Sequence, residues 1–159
     1  MPRPSRAFPT LLAVALCACS PAQREHDPSD DATALVTAAA YWESYYNDKN
    51  ANAVAALYTE DAQLAPPGAA LISGRAAIRE YFAREMAASP PITVTADASG
   101  IGGEWAWRSG VWSVASEPPV TGKYVEVWRR TAEGWRLHRD VWNPDAVVET
   151  APAAAPAPR

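Results

Sequence analysis

Gly122-Lys-Tyr-Val-Glu-Val-Trp-Arg-Arg-Thr-Ala-Glu-Gly-Trp-Arg-Leu-His-Arg-Asp-Val-Trp-Asn143 is the stretch that decides the fold class. Thr121 to Arg130 and Trp135 to Asn143 both alternate and read as strands, joined around Ala132-Glu133-Gly134 as a hairpin. Successive strand residues point to opposite faces, so Tyr124, Glu126 and Trp128 share one face, opposite Val125 and Val127. By the same rule His138, Asp140 and Trp142 share a face, opposite Trp135, Leu137, Arg139 and Val141.

Working back from the hairpin, Glu104 to Ser116 reads as a third long strand. Its tryptophans change parity between Trp107 and Trp112, with Ser109-Gly110 between them, which predicts a bulge or sharp bend there. Ile92 to Ser99 alternates too, and Gly100-Ile-Gly-Gly103 turns the chain. Before Pro90-Pro91 the period is helical. Leu35, Ala38, Ala39, Trp42, Tyr45 and Tyr46 form one stripe on a helix beginning near Asp31, with Ser29 or Asp30 as cap. Asn50 caps a short helix through Ala53 to Leu57, and Ala62 to Ala65 is a short strand closed by Pro66-Pro67-Gly68. Ser73 caps a third helix that buries Ala77, Ile78, Tyr81, Phe82 and Met86. Three helices followed by a strongly bent, mixed or antiparallel sheet is an α+β arrangement.

The flanks differ from this core. All 8 Gly lie within residues 31–143, whereas 9 of the 15 Pro lie outside it. Residues 1–19 carry Arg3 and Arg6, then a short apolar run ending Leu16-Cys17-Ala18-Cys19, as an export signal does. That run is shorter than the roughly 20 residues a membrane-spanning helix needs. Its end resembles a bacterial lipobox, which implies that Cys19 is lipidated and that no disulfide remains. Loss of Arg3 and Arg6 would leave 12 basic residues against 18 acidic ones, a net charge of −6. Such a protein has no electrostatic reason to bind nucleic acid, and it would meet the membrane only through its anchor. Residues 20–30 read as a polar tether, and 144–159 as a Pro/Ala-rich tail that cannot build a core.

The order of elements, with Tyr58-Thr-Glu-Asp61-Ala-Gln-Leu64, Ile72-Ser-Gly-Arg-Ala-Ala-Ile78 and the hairpin phrases, resembles the NTF2-like superfamily. Gly134 to Asn143 looks most like its SnoaL-like and DUF4440 branch, which includes ketosteroid-isomerase-like proteins. The resemblance covers 31–143. It implies a cone, in which a curved sheet wraps the first helix and leaves a pocket at the open end. It also implies a homodimer through the outer sheet face. Fold alone supplies no chemistry, since members include isomerases, dehydratases, hydrolases and proteins without known activity. The family's steroid-isomerase base position, laid along this chain without gaps, falls on Pro66, which accepts no proton.

The residues themselves leave three functions open. If the aromatic-plus-polar faces line the cone, Tyr41, Tyr45, Trp107, Tyr124, Trp128 and Trp142 would hold a small, largely apolar molecule. In the same pocket Asp140, with His138 or Glu126, could act as an acid-base pair in an isomerase, dehydratase or hydrolase. Alternatively that face is solvated, and the domain is a non-catalytic dimerisation or interaction module. No cofactor is expected. Two His, one of them His26 in the tether, and no suitable thiol argue against a metal site.

Overall fold

The computed structural model describes residues 28–146. The expectations for 1–19, for the 20–30 tether as far as residue 27 and for the 144–159 tail beyond residue 146, Cys19 among them, lie outside the described residues. Residues 28–30 are helical and Pro144 ends a strand, so the folded part begins and ends slightly outside 31–143. Three helices come first: α1 (Pro28–Asn47), α2 (Ala51–Ala56) and, after two strands, α3 (Arg75–Glu85). The strands are β1 (Tyr58–Ala65), β2 (Ile72–Ser73), β3 (Ile92–Gly102), β4 (Trp105–Val114), β5 (Val120–Thr131) and β6 (Gly134–Pro144). They form one sheet in the order β2-β1-β6-β5-β4-β3, antiparallel except where β1 runs parallel to β6. This is the α+β architecture expected from the sequence.

The core lies between the helices and the concave face of the sheet. Leu35 and Tyr46 of α1, Ile78 and Phe82 of α3, and Met86 just beyond α3 bury against Tyr58, Leu64, Trp128 and Leu137. Asn50 caps α2 as expected, its side chain accepting from the Ala53 amide at 3.0 Å. The edge strand β3 is fastened to α1 by side chains. Asn47 both donates to the Ile92 carbonyl and accepts from the Ile92 amide, while Glu43 accepts from the Val94 amide. These bonds satisfy edge groups that would otherwise be free to pair with another chain.

Asp31 fastens the start of α1 to the end of β5. Its buried carboxylate accepts from both terminal nitrogens of Arg130, whose guanidinium sits 4.6 Å over the Trp135 ring. The pair is more sheltered than a surface ion pair, and its partner keeps some water. Asp31→Ala should therefore cost about 2 kcal/mol of stability in urea unfolding. A loss below about 0.5 kcal/mol would show the clasp to be energetically idle.

Three local expectations are corrected. Ser73 does not cap α3; it pairs with Gln63 in β2, and Gly74 takes the cap position with φ of 89°, a region that favours glycine. β1 starts at Tyr58 rather than Ala62, because parallel pairing to Leu137 adds four strand residues whose burial does not alternate. The third correction concerns β4, which has no bulge: its register to β5 is unbroken from Trp105 to Val114. Trp105 and Trp107 simply face the other way from Trp112. The extra residue sits in the partner strand at Asp97, between the pairs Ala96–Gly110 and Ala98–Ser109. Gly110 is required at that point, since a Cβ there would lie 2.0 Å from the Thr95 carbonyl oxygen.

Candidate active site

A second bulge builds the site. Trp128 pairs with Leu137 and Val127 with Arg139, so His138 is the extra residue of β6. The frame shift lets Leu137 and Asp140 both face inward, although three positions separate them. Asp140 then lies directly across from Glu126 of β5, on the concave face. His138 is turned to the opposite side of the sheet. There it shares a 3.0 Å hydrogen bond with Thr59, lies 3.6 Å from Asp61 and meets the Trp105 ring edge-on at 5.2 Å. Burial, then the charge of Arg139, hold the imidazole below its ordinary pKa. The expectation that His138 joins Asp140 is thus corrected by one residue of register.

Asp140 and Glu126 line a cavity of about 450 Å³. Trp42, Tyr46, Phe82, Trp112, Tyr124 and Trp142 form its aromatic walls, and Glu85, Ser89 and Pro90 are also on its lining. Apart from the phenols of Tyr46 and Tyr124, the ionisable groups on the lining are Glu85, Glu126 and Asp140, all carboxyls. Of the six aromatic residues expected to hold a ligand, Tyr124 and Trp142 are on this wall. The other four are elsewhere. Tyr41 is half exposed and stacks on Tyr45 along α1, and Trp107 is 46% exposed on the outer face. Trp128 is fully buried in the core behind Glu126.

Both carboxyls are held by named donors. The Tyr58 hydroxyl donates to Asp140 Oδ2 at 2.6 Å while accepting from Trp42 Nε1 at 3.0 Å. Glu126 Oε2 accepts from Trp128 Nε1 at 2.9 Å and from Arg108 Nη1 at 3.2 Å. Burial, and then the charge of Glu126, push Asp140 up to about 7, against a smaller lowering by the Tyr58 hydrogen bond. Burial raises Glu126 as well, while Arg108 and the Trp128 bond pull it down. With two donors on it, one of them the cationic Arg108, Glu126 is the member that keeps the negative charge. Asp140 is the member that exchanges a proton near neutrality. Glu126→Gln should accordingly lower the Asp140 midpoint, read from the carboxyl carbon resonance across pH. An unmoved midpoint would show that burial alone sets it.

Tyr58, Trp42 and Arg108 were not singled out from the sequence as site residues. Arg108 did carry a signal: it shares the inward parity of Ala106, Gly110 and Trp112, and an arginine there needs a buried anion.

A family model described as the SnoaL-like domain matches residues 38–140. The chain belongs to the SnoaL-like family. Among solved structures, this SnoaL-like domain is similar to a ketosteroid isomerase-like protein from Erwinia carotovora atroseptica, with TM-score 0.63 and 18% identity over 72% of this chain and 95% of that one. It is also similar to a candidate dehydratase of the NTF2-like family from Streptomyces avermitilis, with TM-score 0.65 and 16% identity over 75% and 99%. A third is an NTF-2 like protein of unknown function from Shewanella oneidensis MR-1, with TM-score 0.61 and 16% identity over 72% and 98%. At these identities the likeness concerns the fold alone. A search of curated proteins finds no match.

Proposed function

We propose that this SnoaL-like domain binds a small, largely apolar molecule in the aromatic cavity and moves a proton on it through Asp140. The observation that carries this reading is the position of Asp140 beside Glu126 on the wall of a cavity large enough for a small ligand. A carboxyl that titrates near neutrality serves as base and as acid in one cycle, which isomerisation and dehydration both require. Glu126 supplies the fixed charge, and Tyr58 fixes one Asp140 oxygen so that the other is left for the substrate. The acidic lining disfavours anionic substrates, phosphorylated ones included.

Two further parts of this proposal rest on other features. The lipobox-like Leu16-Cys17-Ala18-Cys19 supports export and a lipid anchor at Cys19, on a domain of the DUF4440 type facing the periplasm or cell surface. Exposed Trp107, Val111, Val125 and Val141 on the outer sheet face support a homodimer.

The test is hydrogen exchange on a probe ketone. β-Tetralone incubated in heavy water with the purified domain should lose its acidic hydrogens, next to the carbonyl, faster than in buffer. The rate should rise with pH through about 7 as Asp140 ionises. Binding without accelerated exchange would leave the domain a ligand carrier.

A further inference from the structure

Among the described residues, three buried side-chain polar atoms have no hydrogen-bond partner: Trp112 Nε1, Tyr124 Oη and Trp135 Nε1. Buried polar groups are nearly always paired, because an unpaired one costs about 1–3 kcal/mol of lost hydration. Trp135 is away from the cavity, under Arg130. Trp112 and Tyr124 both line it.

Their placement is not incidental to the backbone. Trp112 of β4 pairs with Gly122 of β5, and Tyr124 is the next inward residue along β5, so the two are diagonal neighbours on one wall. The Trp112 indole packs on Gly122, where a Cβ would come within 2.3 Å of both the ring and the Asn143 carbonyl oxygen. Any other residue at 122 would have to shift the indole or the β6 backbone. Tyr124 is 6% exposed, and burial pushes its phenol up to about 12, so the group is a neutral donor at physiological pH. Glu126, the next inward residue after Tyr124, has its Oε2 taken by Trp128 and Arg108.

We propose that Tyr124 and Trp112 form a subsite for a neutral oxygen acceptor on the ligand, a carbonyl in the first instance. An indole N–H only donates, which excludes an ammonium group as its partner. A hydrocarbon would leave both groups unpaired, at the same cost as in the empty cavity. The acidic lining sets a carboxylate or phosphate at a disadvantage. A carbonyl satisfies both donors with its two lone pairs. The subsite sits one inward step along β5 from the Glu126–Asp140 pair, so it also orients the ligand, with carbonyl at Tyr124 and the adjoining carbon toward Asp140. The inference deepens the proton-transfer reading above, yet it concerns binding and stands or falls separately.

The test compares two ligands of one shape, β-tetralone and its hydrocarbon tetralin, by calorimetry or tryptophan fluorescence on wild type and Tyr124→Phe. The hydrocarbon reports any general change of the cavity, so the difference isolates the hydroxyl. Tyr124→Phe should weaken the ketone about tenfold and leave tetralin unchanged or tighter. Equal losses for both ligands, an unchanged ketone affinity, or no ketone binding by wild type overturns the proposal. A second measurement needs no variant: the carbonyl carbon of bound β-tetralone should move downfield, as on accepting hydrogen bonds. An unshifted resonance also overturns it. Exchange by wild type and ketone binding by wild type and Tyr124→Phe together separate the two readings. Tyr124-dependent ketone binding without exchange in wild type rejects proton transfer alone, whereas exchange with Tyr124-independent binding rejects the subsite alone.

Discussion

Asp140→Asn is expected to slow catalysed exchange on β-tetralone by about a hundred- to ten-thousand-fold, the range that a positioned general base contributes. Asn keeps the size of the side chain and can still accept from Tyr58, so ketone affinity should be held while turnover is lost. The loss should then appear in kcat rather than in KM. The same substitution has an opposite effect on stability. The folded pKa of Asp140 is raised from 3.8 to about 7, so its contribution is fully present below the unfolded value and fades as pH rises through about 7. The Asn variant should therefore gain on wild type in urea melts as pH climbs from about 4 to above 7. Retained exchange, or a stability difference that ignores pH, would remove Asp140 from the mechanism.

Trp128→Ala carries the largest expected cost to folding. Trp128 is wholly buried, and large-to-small changes of this kind cost about 3–5 kcal/mol. Its indole also donates to Glu126 Oε2, so the substitution leaves a buried carboxylate holding on to Arg108 alone. Against a total stability of roughly 5–15 kcal/mol, such a loss leaves the domain marginal or unfolded near body temperature. Trp128→Phe restores much of the volume and omits the donor. It should fold, and it should raise the pH at which Glu126 protonates. Unfolding curves that differ from wild type by less than about 1 kcal/mol for Ala would deny Trp128 its place in the core.

The sequence exposes the architecture and conceals the facing of its side chains. The hairpin alternation identifies β5 and β6, and the inward set Tyr124, Glu126 and Trp128 follows from it directly. The Leu35–Tyr46 stripe likewise marks α1, and Ile78, Phe82 and Met86 bury as their spacing requires, whereas Ala77, expected beside them, is exposed. Site facing was lost where one strand of a pair carries an extra residue. Regular alternation over β6 groups His138 with Asp140, and the bulge separates them. In β4 the change of tryptophan parity is real, but the irregularity belongs to β3, whose Ala96-Asp97-Ala98 gives no local sign of it. Tyr58 is concealed for a different reason. Its role depends on a parallel pairing between segments 79 residues apart, Tyr58 and Leu137, which no short-range pattern encodes.

The bulge at His138 turns the position of the acid into a question of arithmetic. Two inward side chains on a regular strand must be an even number of residues apart, and Leu137 and Asp140 are three apart. An odd interval between a buried apolar residue and a buried acid on the closing strand is therefore a written record of an inserted residue. Removing His138 would straighten β6 and still leave Asp140 facing Glu126, whereas adding one residue between His138 and Asp140 would turn the carboxyl out to solvent. In this domain the register of Asp140 against Glu126, not the length of β6, decides whether the carboxyl lies on the concave face.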